Sequence, residues 1–171
     1  EAGDESYLIA MQKKDVVVIS GNKKESFDKI EDEFKVDVVI IDDGFQSRYL
    51  KRDIDILLVN SALPFSNGYL LPAGLLREPL FSLRRADIIV LTKISESTPE
   101  KIKQTVKTIR RYNRTAPIFQ GIHKVIDLYN SEGDKIEANF VRNKKVLAFS
   151  GVANPESFAK NLKELEPSYL M

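Results

Sequence analysis

The stretch VDVVIIDDGFQ, residues 36–46, decides the reading of the fold. Residues 36–42 are β-branched and apolar apart from Asp37 and the closing acid, as suits a strand covered on both faces. The run then delivers two carboxylates, Asp42 and Asp43, followed by Gly44. In open α/β sheets ligands bind outside the C-terminal ends of the strands. An acid at that edge suits Mg²⁺, a hard cation that prefers oxygen ligands. Aspartate at a strand end also serves turn chemistry alone. The short pattern leaves both readings standing.

Upstream, VVVIS at residues 16–20 reads as another buried strand. Asn22 opens N-K-K-E, a variant of the capping box with Glu25 three residues on. Phe27, Ile30 and Phe34 then recur at helical spacing, while Asp28, Lys29, Glu31, Asp32 and Glu33 fill the other side. Downstream, residues 54–60 (IDILLVN) and 87–92 (DIIVLT) read as a third and a fourth strand. Strands alternating with helices predict an α/β protein with a layered, parallel sheet. Between the last two strands, residues 61–80 hold three prolines and two glycines with many apolar residues, which predicts a structured loop. After Lys93 the pattern changes. Ser97 or Thr98 caps a helix reaching about Arg114, and residues 117–128 are extended. N-S-E-G-D at residues 130–134 suggests a hairpin, residues 145–150 a strand, and Asn154 caps a last helix through Leu165.

Composition narrows the chemistry. With 43% hydrophobic and 30% charged residues, the chain has an ordinary globular make-up. A formal net charge of +1 argues against bulk electrostatic binding to nucleic acid, while leaving room for a local basic stripe. There is no Cys, which excludes disulfides, thiolate metal sites and cysteine nucleophiles. The single His123 leaves no histidine cluster for a metal. No apolar run approaches the roughly 20 residues of a membrane span, and no signal peptide is visible. The start on Glu1 and the end at Met171 read as those of an internal fragment. A phosphate-binding G-x-x-x-x-G-K-[ST] is absent, since none of the eight glycines precedes a lysine. S-G-N-K-K at residues 20–24 has the wrong spacing, and Thr92–Lys93 lacks the Asp of a guanine-reading [NT]-K-x-D.

Several motifs occur together in order. They are E-A-G-D-E-S (1–6), D-D-G-F-Q (42–46), R-x-L-x-R-D (48–53), L-L-P-A-G-x-L-R-E-P (70–79), R-R-A-D (84–87) and A-F-S-G (148–151). In this the chain resembles the tetraacyldisaccharide 4′-kinase family over nearly its whole length. The resemblance implies an α/β, P-loop-kinase-like layered parallel sheet, incomplete here, in residues 1–93. Part of a second, smaller α/β lobe follows in residues 94–171. It implies ATP and Mg²⁺ as cofactors and a lipid disaccharide as acceptor. The setting it implies is the cytoplasmic face of the bacterial inner membrane, with that surface as a partner and nucleic acid as none.

By motif, the resemblance makes Asp4 the general base for the sugar hydroxyl and Asp42 and Asp43 the metal-side acids. Gln46 becomes their companion, and Arg77 and Glu78 fall in the nucleotide region. Each has a plainer reading. Asp4 before E-S-Y-L-I-A-M is a good helix cap, and Arg77 with Glu78 is a surface ion pair of little worth. Ser47 stands where the family commonly has His, and the family's second-lobe histidine is not matched; His123 reads as structural. Without a phosphate loop the chain alone is expected to be inactive. The alternative is a non-catalytic α/β binding or assembly module derived from the same fold. An in-frame phosphate loop encoded upstream of Glu1 would favour the kinase, and a start codon near Glu1 the module. The helix after Thr98 carries Lys101, Lys103, Lys107, Arg110, Arg111 and Arg114 against Glu100, opposite an apolar stripe of Ile102, Val106 and Ile109. Such a helix docks on anionic lipid or packs, solvated, on its own domain.

Overall fold

The computed structural model describes residues 4–13, 15–152 and 155–171. The chain divides into two compact units, Glu1–Asp55 and Ile56–Met171. The lobe boundary expected near Lys93 falls inside the second of these, between two elements of one sheet.

In the first unit, helix α1 spans Asp4–Gln12 and α2 spans Lys23–Glu33. The Asn22 side chain accepts hydrogen bonds from the backbone N–H groups of Lys24 (3.0 Å) and Glu25 (3.4 Å), as the capping pattern predicts. The two expected strands at 16–20 and 36–42 do not form. Neither run carries a ladder among the described residues, and Val38 and Ile40 are 76% and 90% exposed. Apolar composition expresses a preference for burial, but a strand exists only where a neighbour supplies hydrogen bonds.

The second unit is built on a parallel sheet of β1 (Ile56–Asn60), β2 (Ile88–Thr92) and β3 (Ile118–Gln120), in that order. Ile56 pairs with Ile88 and Asn60 with Thr92, so β1 and β2 are in register along their length. Helix α3 (Pro99–Tyr112) carries the chain from β2 to β3, as a parallel pair requires. Thr98 caps it by accepting from Lys101 N–H, and Pro99 opens its first turn. Ile89 and Leu91 on β2 and Ile109 on α3 are completely buried. Each such side chain contributes roughly 1.5–3 kcal/mol through burial.

A polar residue closes this core. Asn113, just past α3, is 5% exposed and uses every hydrogen-bonding capacity of its amide. Its Nδ2 donates to the carbonyls of Leu83 (2.9 Å) and Ala86 (2.7 Å), at the end of the 3-10 turn Leu80–Arg85. Its Oδ1 accepts from the N–H groups of Thr115 (3.3 Å) and Ala116 (2.9 Å), leading into β3.

The rest of the unit is made of short elements. The expected hairpin is present: β4 (Leu128–Tyr129) pairs antiparallel with β5 (Lys135–Ile136), and Asn130 Oδ1 accepts from Glu132 and Asp134 N–H in the turn. Asp127 sits 2.8 Å from the Lys135 ammonium, and that hydrogen bond with the adjacent negative charge raises the lysine pKa above its ordinary value. β6 (Lys145–Val146) pairs in parallel with β7 (Tyr169–Leu170). Between them α4 (Pro155–Lys163) is tied to the 3-10 turn Ile94–Glu96, with Ser157 donating to Glu96 (2.7 Å) and Lys160 to the Ser95 carbonyl (2.6 Å). The expected cap Asn154 lies outside the described residues. Among the described residues no helix is long and apolar enough to cross a membrane.

Replacing Asn113 with Ala strands buried carbonyls and N–H groups that solvent cannot reach. Urea unfolding of Asn113→Ala should show a loss on the order of 3 kcal/mol, whereas an exposed control such as Gln104→Ala should change stability by less than about 0.5 kcal/mol.

Candidate functional site

β1 and β2 run parallel and in register, so Asn60 and Thr92 end at the same sheet edge. Ser61, the next residue, is completely buried; both its N–H (3.0 Å) and its hydroxyl (2.6 Å) donate to the Thr92 carbonyl. The Ser61 carbonyl accepts from Ser97 Oγ (2.8 Å), and the Ala62 carbonyl accepts from the Lys101 ammonium. These bonds anchor the following loop to the edge where parallel sheets bind ligands.

The loop of residues 61–80 is ordered, as its apolar content predicts, and a second clamp explains how. Asn67 Nδ2 donates to the Ala73 carbonyl (2.9 Å), and its Oδ1 accepts from Tyr69 N–H (3.2 Å). Leu71 N–H donates to the Leu76 carbonyl and Leu76 N–H to the Tyr69 carbonyl, closing a small ring. Gly74 fits inside it for want of a side chain, since a Cβ there would lie 2.2 Å from both Asn67 Oδ1 and the Tyr69 carbonyl oxygen. Arg77, exposed, and Glu78, half-buried, end the loop. Glu78 meets Arg85 across the turn, at 2.9 and 3.0 Å for its two carboxylate oxygens. Glu78 thereby forms a partly buried, two-oxygen pair that braces the loop against the turn at Leu80–Arg85.

The other candidates lie in the first unit. Asp42 and Asp43 form an exposed turn, with Asp43 in the left-handed region at φ 48°. Gly44 behind them is buried, and a Cβ there would come within 2.9 Å of Ile41 Cγ2, so a side chain at this position would force a shift. Gln46 is exposed just beyond. The segment that follows is pinned by Arg52. Its guanidinium binds Asp55 through two nitrogens at 2.7 and 3.2 Å and also donates to the carbonyls of Ser47 and Leu50. One short segment thus presents two carboxylates and a carboxamide. These are hard oxygen donors of the kind that hold Mg²⁺ when phosphate and water complete the shell, so the donor set fits that ion. Among the described residues no group of three or more metal-ligating side chains forms.

Asp42, Asp43 and Gln46 therefore share one turn, and Arg77 and Glu78 one loop of the other unit. Asp4 is the first helical residue of α1, which places it one position inside the cap expected for it; its side chain lies outside the described residues. Sequence reasoning did not foresee the bonds of Arg52, Asn67, Ser61 and Ser97. Arg52 stood in the R-x-L-x-R-D motif and Ser97 was a cap candidate, Asn67 had a signal in Asn-Gly at residues 67–68, and Ser61 had none.

A family model described as Tetraacyldisaccharide-1-P 4′-kinase matches residues 1–170. Among curated relatives, a tetraacyldisaccharide 4′-kinase of Syntrophus aciditrophicus is 38% identical over 96% of this chain and 46% of its own length. The protein of that name in Chlorobium phaeovibrioides is 36% identical over 95% and 46%, and that of Halothermothrix orenii 33% over 95% and 45%. The chain thus spans about half the length of the curated relatives it matches. No solved structure matches it.

The two loop glycines make a paired test. Gly74→Ala should cost roughly 1–3 kcal/mol by forcing the ring of residues 69–76 apart, and limited proteolysis should then cut within it. Gly68→Ala meets open space and only the strain of its φ of +80°, so it should cost about 1 kcal/mol and leave the ring resistant.

Proposed function

The chain belongs to the tetraacyldisaccharide 4′-kinase family, and on that premise we propose that it contributes to ATP-dependent transfer of the γ-phosphate to the 4′-hydroxyl of a tetraacyldisaccharide 1-phosphate in lipid A biosynthesis. The observation that carries this reading is the family match along residues 1–170, which takes in every motif of the candidate site. The reaction belongs at the cytoplasmic face of the bacterial inner membrane, where a peripheral enzyme can meet a lipid substrate. The three-stranded parallel sheet, with an anchored loop at its C-terminal edge, supports a P-loop-kinase-like layered core that takes in β3 beyond residue 93.

Within this reading Asp42 and Asp43 hold Mg²⁺, with Gln46 beside them. The ion, when bound, neutralises charge on the phosphates. The left-handed Asp43 turn and the buried Gly44 support this role, because they place both acids on a short exposed reversal, and Arg52 pins the residues that follow it. Fixed carboxylates need little reorganisation as charge develops. Arg77 and Glu78 serve the nucleotide side, Arg77 as an exposed cation and Glu78 through its pairing with Arg85. Asp4 takes the proton from the sugar hydroxyl, a poor nucleophile until a positioned base accepts that proton.

Two asparagine substitutions in the intact protein test these roles. Asp43→Asn keeps a residue that tolerates the left-handed turn while removing the charge. Turnover should fall roughly 10²-fold or more and recover in part at high Mg²⁺. Asp4→Asn keeps the local hydrogen-bonding shape of the helix start but cannot act as a base. Its stability should stay within roughly 1 kcal/mol while turnover drops about 10²-fold or more. Wild-type turnover of either variant at ordinary Mg²⁺ removes that residue from the mechanism.

A further inference from the structure

Helix α3 carries a charged surface that the proposed chemistry does not use. Its inner side packs Thr105 and Ile109 into the core. Two of its cations are spent internally: Lys101 on the Ala62 carbonyl, and Arg110 on the carbonyls of Asn113 (3.3 Å) and Ala116 (2.7 Å). The remaining four, Lys103, Lys107, Arg111 and Arg114, are exposed. Among the described residues none of them has an ion-pair or hydrogen-bond partner. The first three recur every fourth residue and Arg114 follows just past the helix end, so they form one row on the side away from the core. Glu100, at the N-terminal end of the helix, is the only acid in it. From Lys103 to Arg111 the row covers about 12 Å of helix.

We infer that this row is a docking surface for an anionic lipid bilayer, against which α3 lies with its axis in the membrane plane. Four cations without acids are costly to cover with apolar protein, so the row faces water or a partner that brings negative charge. A bilayer suits a straight row on a helix backed by a sheet, and each base near an anionic surface adds to the attraction. Two exposed aromatic rings flank the C-terminal end. Tyr112 is 41% exposed, and Phe81, 49% exposed, carries Arg84 over its ring at 5.4 Å. The Asn113 bonds to Leu83 and Ala86 hold that turn beside the helix end. Rings with a cation at hand belong at the headgroup level. The inference rests on the proposed function in one respect, that an acylated substrate brings the enzyme to a lipid surface.

The test is vesicle flotation of the intact protein and of its K103Q/K107Q/R111Q/R114Q variant. The lipids are phosphatidylcholine alone and phosphatidylcholine mixed with phosphatidylglycerol. The readout is the ratio of partitioning into the anionic vesicles over the neutral ones, because apolar contacts elsewhere in the protein enter both alike. Gln has the helix propensity of the residues it replaces, so far-UV circular dichroism and unfolding midpoint should be unchanged. The ratio should fall at least about tenfold in the variant, and in the wild type it should fall as salt rises. Turnover on detergent-dispersed substrate should match wild type.

An unchanged ratio in the folded variant overturns the inference. So does tighter binding of a single-stranded oligonucleotide than of anionic vesicles, lost with the same four bases. If detergent-dispersed turnover collapses with the fold intact, the row belongs to the catalytic machinery and the inference also fails. Failure of the proposed function looks different: no turnover in the wild type, or none lost in Asp43→Asn, while the vesicle ratio still depends on the four bases.

Discussion

The amide of Asn113 receives and gives four hydrogen bonds inside the second unit, and the placement of α3 depends on them. A helix returning from one parallel strand to the next must stop, turn and re-enter the sheet without leaving buried backbone groups unpaired. Here one side chain satisfies the turn before β2 and the turn before β3 together. At the other end of the helix, Ser97 and Lys101 bond to the carbonyls of Ser61 and Ala62, so the same helix anchors the loop at the C-terminal sheet edge. Its inner face holds the core and its outer face keeps the unspent bases.

The first unit uses the same economy on a smaller scale. Arg52 does for the segment after Gln46 what Asn113 does for the sheet, filling the carbonyls of Ser47 and Leu50. Its pair with Asp55 is largely shielded, with side chains 14% and 16% exposed, so the guanidinium is held while it does so.

What the sequence made legible was local. Thr98, Asn22 and the N-S-E-G-D turn each state their role within a few residues, and each does what its chemistry predicts. The strands at β1 and β2 were readable because apolar composition coincides there with real neighbours. The equally apolar runs at 16–20 and 36–42 look the same by composition and lack a ladder, because pairing is decided by distant parts of the chain. Glu78 follows the same rule: a chain reversal brings Arg85, seven residues on, to its carboxylate. For the site, the motifs identified the acids through family likeness, whereas the supports, Arg52, Asn67 and the buried Ser61, emerged only in three dimensions. A serine after a strand has no periodicity to betray it.

Strand β1 lies at one end of its sheet and, among the described residues, pairs only with β2. Along its five residues it has no lysine, proline or bulge, and Ile56 and Leu58 are 57% and 65% exposed. Such an edge offers unpaired backbone groups and apolar side chains together, which makes it a template for extended segments of other molecules. The 171-residue chain expressed by itself is therefore prone to aggregate in proportion to its concentration, and a charge placed at the exposed position 58 is the simplest gatekeeper against it.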